Sequence, residues 1–415
     1  MKSHRCTLLK TRSAICVVVD RLHAGMVGTY GNSWIRTPQL DRLACESFVL
    51  DQALICSPEL DAIYRDFWSS TDDHAQSGSA GGNLLSELAG RGIRTVLMTD
   101  DPDIAAHPLS ASFREVIAIR PRAATRLARS IKQTQSAQTI AQATEFLRSA
   151  ESPYLLWLHL RGLAGPWDAP FELRAQYAGE EDPEPSKSVE VPNLHLGEDY
   201  DPDEVLDASH RYAGQISSLD TSLGEFLDEL RGVEQTQDVL FTLLSARGFP
   251  LGEHRRIGPF DNALYSELVQ IPWLIRQPKA AGALGRSPAL VQSSDLRGLL
   301  LEWWGFDAQH VHQGALSLLR LISDGGVWPR ERVYIRHGDR ERGLRTPAWY
   351  ARWQAGVPDS LELYAKPGDR WEVNQVANRC TDVAAAVEAE LVELEQNADV
   401  NSRPPLDELL LTEAE

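Results

Sequence analysis

Charged side chains stand where short apolar runs end. Residues 14–19 run into Asp20-Arg21, residues 93–98 into Thr99-Asp100-Asp101, residues 154–160 into Arg161, and residues 238–244 into Ser245-Ala246-Arg247. Carboxylates gathered at one point could hold a hard cation, which requires several oxygen ligands. Arginines could hold sulfate, phosphate or carboxylate, because a guanidinium supplies fixed charge and forked donors. Asp20 with Arg21 and Arg247 could also close on itself as an internal salt bridge that fills the space. Asp100-Asp101 precedes Pro102 and reads as a turn and helix cap rather than a metal pair. Asp72-Asp73-His74 lies in a Gly/Ser-rich stretch and reads as a surface loop. The five cysteines, Cys6, Cys16, Cys45, Cys56 and Cys380, are odd in number and lack C-x-x-C spacing, so neither a disulfide framework nor a zinc ribbon is expected.

The elements that must position these residues follow from the same runs. They lack polar alternation, as expected for parallel strands covered on both faces, and amphipathic segments separate them. The spacing of Tyr212, Ile216, Leu219, Leu223, Phe226, Leu227 and Leu230 predicts a helix closed by Gly232. The expected fold class is α/β, a three-layer α/β/α sandwich with a mostly parallel central sheet. In such sheets ligands gather beyond the carboxyl ends of the strands, which singles out Asp20, Arg21, Asp100, Asp101, Arg161, Ala246 and Arg247. Past residue 325, strand-like runs at 333–336, 348–353 and 361–364 and a helix over 382–395 predict a small antiparallel sheet with one helix. The expected organisation is a main domain over 1–325, a subdomain over 326–396, and an acidic, mobile tail over 397–415.

The 415 residues are 43% hydrophobic and 24% charged, as in a conventional packed protein. The net charge is −18, concentrated in residues 178–207, with 11 acidic residues against Lys187, and 381–415, with 10 against Arg403. The first of these reads as a solvated insertion loop and the balance argues against nucleic-acid or acidic-membrane partners. No apolar run is long enough to span a membrane. The basic start lacks an apolar leader core, so a cytoplasmic protein is expected. The 11 Trp residues read as core packing, since no basic stripe interleaves with them.

Val19-Asp20-Arg21-Leu22, then Gly28-Thr29-Tyr30-Gly31, then Thr37-Pro38-Gln39-Leu40-Asp41-Arg42-Leu43-Ala44 together resemble the opening of the sulfatase family, within the alkaline-phosphatase superfamily. Further landmarks recur in order: Trp157-Leu158-His159-Leu160, Gly165-Pro166-Trp167, Tyr212 to Asp220, Leu251-Gly252-Glu253-His254 and Ile271-Pro272-Trp273. The resemblance implies an alkaline-phosphatase-like fold. It also implies hydrolysis of sulfate esters by a cysteine-derived formylglycine, a divalent cation, usually calcium, and Lys, Arg and His residues around the sulfate.

Residue by residue, the family's chemistry is replaced. Its Asp-Asp pair reads Asp20-Arg21, and its Ser-Asp-His-Gly or Ser-Asp-Asn-Gly reads Ser245-Ala246-Arg247-Gly248. Its Cys-x-Pro-Ser-Arg falls with Leu60 at the cysteine and Tyr64 at the arginine, or, shifted by four, with Cys56 at the cysteine and Leu60 at the arginine. Its sulfate-binding His falls at Ala164, and its Lys near Gly258-Pro259. The expectation is a pseudo-sulfatase without calcium or formylglycine, in which Asp20 alone retains a metal-ligand position. It would act as a binding or regulatory module, with an active sulfatase paralogue or a small oxyanion as its partner. The candidate anion pocket is Arg21 and Arg247, with His254 in a minor part; His159 reads as a structural histidine. A divergent hydrolase of sulfate or phosphate esters and a purely structural oligomerisation subunit are the competing expectations.

Overall fold

In a computed structural model, the structure describes residues 12–69, 82–232, 238–259, 263–306, 317–324, 330–396 and 404–412. Asp72-Asp73-His74 lies outside them. Ten strands precede the C-terminal sheet: β1 (Ser13–Val19), β2 (Phe48–Leu54), β3 (Arg94–Thr99), β4 (Glu115–Ala118), β5 (Tyr154–Leu160), β6 (Leu194–His195), β7 (Val239–Ser245), β8 (Arg256–Ile257), β9 (Gln270–Arg276) and β10 (Arg286–Gln292). Eight of them form one sheet in the order β10-β2-β9-β7-β1-β5-β3-β4. β1 pairs in parallel with β5 and β7, β3 with β4 and β5, whereas β9 runs antiparallel to β7. The expected mostly parallel α/β sheet is therefore present. All seven residues of β1, β5 and β7 are buried, which is why their sequences carry no polar alternation.

The chain divides into two compact units, one of residues 1–51, 85–260 and 271–287, the other of residues 52–84, 261–270 and 288–415. In the first, Ile15, Val17 and Val19 pack in one core with Leu156 and Leu158 and with Tyr212, Ile216, Leu219, Leu223, Phe226 and Leu230 of the helix Pro202–Gly232. That helix begins a full turn before the end of the expected acidic loop: Asp203 and Glu204 occupy its first turn, where the helix dipole favours negative charge. The rest of the loop is fastened from below. Arg174, fully buried, donates to the carbonyls of Ser186 (2.6 Å), Ser188 (2.8 Å) and Trp167.

In the second unit, β11 (Val333–His337), β12 (Glu341–Arg345), β13 (Trp349–Gln354) and β14 (Glu362–Ala365) form an antiparallel sheet in sequence order. The helix Thr381–Gln396 lays Val383, Val387, Leu391 and Leu394 against Leu344, Trp349 and Leu363. Part of the expected mobile tail packs here too. Leu406 and Leu410 join this core, and Trp349 Nε1 donates to the Leu409 carbonyl (3.1 Å). Among the described residues no helix is long and apolar enough to cross a membrane.

Candidate functional site

The register sets the geometry. Val19 stands opposite Leu160 on one side and Ser245 on the other, so Asp20, Arg161 and Ala246 leave the sheet together. The Asp20 N–H donates to the Leu160 carbonyl (2.9 Å), the Leu163 N–H to the Asp20 carbonyl (3.1 Å), and the Ala246 N–H to the Val19 carbonyl (3.2 Å). Ser245 Oγ lies 2.7 Å from the carbonyls of Val19 and Arg247 and accepts the Leu22 N–H (3.1 Å). The Tyr212 hydroxyl, from the long helix, donates to the Arg21 carbonyl (2.6 Å) and accepts the His23 N–H (2.9 Å). These ties hold Arg21 at φ 65, left-handed backbone that is uncommon for a residue other than glycine. They also require glycine at 162, where φ is +55 and a Cβ would stand 2.7 Å from Val19 Cγ1 and 2.9 Å from the Asp20 carbonyl oxygen.

Asp20 is 1% exposed, and its carboxylate meets the Arg247 fork on both oxygens, Nε to Oδ1 at 3.1 Å and Nη2 to Oδ2 at 3.2 Å. Burial alone would raise the Asp20 carboxyl; Arg247, then Arg21, and more weakly His159 pull it below the usual carboxylate range. Arg21 is likewise 1% exposed, with Nη1 3.5 Å from the Gly248 carbonyl. His159 is fully buried, Nε2 3.9 Å from Asp101 Oδ2. Burial lowers its pKa against the opposing pull of Asp101, Asp20 and Asp100. Asp101 caps the helix Pro102–Ala105 through the N–H groups of Asp103 (2.8 Å) and Ile104 (3.4 Å). Asp100 accepts the Arg161 N–H (2.7 Å) and the Thr139 hydroxyl (3.0 Å).

A hard dication needs six or more oxygens converging on one point. Here both oxygens of Asp20 face a guanidinium, and among the described residues no group of three or more His, Cys, Asp or Glu could hold a metal ion. The residues present do not fit the family's calcium. The sequence-predicted Asp20, Arg21 and Arg247 do come together, but the fork assigned to an outside anion is engaged by Asp20. His254 sits, half-exposed, on the turn closed by the Arg255 N–H to the Gly252 carbonyl (3.1 Å).

The candidate nucleophile region belongs to the second unit. Leu60 opens the helix Leu60–Trp68, and Tyr64 is fully buried, edge-on to Trp68 at 4.6 Å and Phe67 at 5.5 Å, a core residue. The Cys56 sulfur lies 3.6 Å from Ser293 Oγ. Burial, and then the charge of Asp66, push its thiol up, opposite to what a reactive thiolate needs. Sequence reasoning did not identify Tyr212 or Gly162 as supports of the site, nor Arg174 as the fastening of the acidic loop. The glycine right after a strand end was the one local signal; Tyr212 acts on Arg21, far along the chain, and Arg174 on carbonyls 7 to 14 residues away.

The sulfatase family model matches residues 12–306. An N-acetylglucosamine-6-O-sulfatase of Bacteroides thetaiotaomicron is 27% identical over 177 residues, 40% of this chain and 31% of that protein; the match thus spans about a third of the relative. A phosphonate monoester hydrolase of Agrobacterium radiobacter has the same fold, with a TM-score of 0.73 at 15% identity over 93% of this chain and 95% of the other. So does a protein solved with its substrate D-glucosamine-2-N,6-O-disulfate, with a TM-score of 0.73 at 17% identity over 95% of this chain and 100% of the other. The fold is shared with enzymes of two chemistries, and with the family match covering more than two thirds of its length, this chain belongs to the sulfatase family.

Proposed function

We propose that this protein is a catalytically silent sulfatase homologue, a cytoplasmic binding or regulatory module rather than a hydrolase. The observation that supports this reading is the two-pronged ion pair of Asp20 and Arg247. A guanidinium there supplies the positive charge that a buried carboxylate requires, so the strand ends stay together without a cation. It offers no open coordination position and no Lewis acidity, and the polarisation that a metal provides to an ester oxygen is lost with it. An outside oxyanion would have to compete with Asp20 for Arg247, which argues against the Arg21, Arg247 and His254 pocket as the binding surface. The described cysteines, all free, suit a reducing compartment. The test is metal analysis of protein purified in calcium, with turnover assays on aryl sulfate and aryl phosphate and mass spectrometry of the Cys56 peptide. The expected result is no stoichiometric metal, no turnover and unmodified cysteine. Turnover that disappears in Asp20→Asn would overturn the reading in favour of a divergent ester hydrolase.

A further inference from the structure

A concave cleft of about 440 Å³ opens on the first unit, lined by Arg122, Arg126, Arg129, Lys132 and Gln138, with Asp168 as its acidic residue. The stretch that builds it stands apart in charge. Residues 116–144 hold five cations, Arg120, Arg122, Arg126, Arg129 and Lys132, and no Asp or Glu, in a chain of net charge −18. Its backbone is fixed by neutral groups. The Arg122 N–H donates to Gln138 Oε1 (3.5 Å) and the Arg129 N–H to Gln133 Oε1 (3.3 Å). Gln135 Nε2 donates to the Arg122 carbonyl (3.1 Å), Gln138 Nε2 to the Gln133 carbonyl (2.8 Å), and the Ala128 N–H to the Asp168 carbonyl (2.8 Å).

The cationic heads take no part in this scaffold. Among the described residues, the guanidinium groups of Arg122, Arg126 and Arg129 make no ion pair, and Lys132 approaches Glu225 only at 3.9 Å between largely exposed side chains. Asp168 does not neutralise them: it is buried, and its carboxylate accepts the Gln135 N–H (2.9 Å) and Gln215 Nε2 (3.4 Å). Like charges held together on a preordered loop repel unless an anion joins them, and planar forks match the oxygens of sulfate and phosphate. The volume is that of a small-molecule site, too small for a long polymer.

We infer that this cleft binds a small, multiply charged oxyanion, a molecule carrying two or more sulfate or phosphate groups. The site is separate from the Asp20 seat and goes beyond the reading of lost catalysis. Titration calorimetry on the full chain in 50 mM NaCl, with a trisulfated heparin-derived disaccharide and with inorganic tripolyphosphate, tests it. At least one binds, and 0.5 M NaCl weakens that binding. Arg126→Ala weakens it about tenfold, and Arg122→Ala/Arg126→Ala/Arg129→Ala abolishes it with an unchanged melting temperature. Preference for the disaccharide assigns sulfated ligands; preference for tripolyphosphate assigns phosphates. Failure of both probes to bind, or binding that the triple variant retains, overturns the inference. Neither result bears on calcium or turnover, so the two proposals fail separately.

Discussion

A carboxylate withdrawn from water is costly unless it is paired, and at Asp20 the partner is Arg247 on both oxygens. Such a pair adds little net stability over a hydrophobic replacement, yet breaking it strands a buried charge. Arg247→Met is therefore expected to destabilise the protein by about 3–5 kcal/mol, measured by urea unfolding at pH 7. Asp20→Asn/Arg247→Met, which removes both charges, should recover a large part of that loss. The pH dependence has a definite sign. Asp20 titrates below its unfolded value in the fold, so its contribution is present above about pH 4 and lost as pH falls further. His159 is also lowered, but it is a base: the unfolded chain takes up its proton first, and stability falls as pH drops below about 6.5. His159→Gln should flatten the stability profile between pH 7 and 5 while leaving the steeper acid limb in place.

Among the elements, the long helix Pro202–Gly232 acts on others as well as on the sheet. The helix Pro38–Cys45 starts after Thr37, whose side chain does not cap it. Its free N–H groups at Gln39 and Leu40 are instead satisfied by Asp220 of the long helix, at 3.1 and 2.8 Å. Close approach makes this reach possible, since a Cβ on Gly224 would stand 2.5 Å from Gln39 Cγ. Asp220→Ala should cost about 1–2 kcal/mol, as for loss of an N-cap. Burial, with repulsion from Asp41, pushes the Asp220 carboxyl up to about 6. Folding is therefore disfavoured progressively as pH rises from about 4 to about 6. Asp220→Asn keeps an acceptor without the charge and should match or exceed the native protein at pH 7, a comparison that thermal melts at pH 4.5 and 7 would make. Arg174 performs the equivalent task for the acidic loop. Arg174→Met leaves three carbonyls without their donor, at about 1–3 kcal/mol for each that stays buried. Limited proteolysis should then cut faster between residues 179 and 201, and an unchanged cleavage rate would refute the fastening role.

Over the whole molecule, what was legible in the sequence and what was not divide by the range of the interactions. Unbroken apolar runs such as residues 14–19 and the three-and-four spacing from Tyr212 to Leu230 are local patterns, and they located the parallel sheet and its covering helix. Asp220 at a distant helix start and Leu406 and Leu410 in the C-terminal core depend on partners remote in sequence, which no local pattern reveals; Arg174 fastens carbonyls 7 to 14 residues away, across an irregular loop that has no periodicity to mark it. Sequence reasoning did not single out the basic stretch 116–144, whose cleft forms only where the Ala128 and Gln135 N–H groups meet Asp168. The strand-end seat lay between these cases: the residue types pointed to arginines beside Asp20, and only the structure showed Arg247 meeting it on both oxygens. The fold thus holds its strand ends with internal charge, and its stability should not depend on calcium. Millimolar calcium or a chelator should leave the melting temperature of the native chain unchanged. Rebuilding the family pattern with Arg21→Asp/Ala246→Asp/Arg247→Asn should reverse this. Asp tolerates the left-handed backbone at position 21 better than Arg does, and three carboxylates with an amide would surround the former ion pair. Repulsion among them should lower stability without metal, and calcium at a hundredfold excess over its Kd should restore about 2.7 kcal/mol. A native chain that calcium stabilises to that degree would show that a cation is bound despite Arg247.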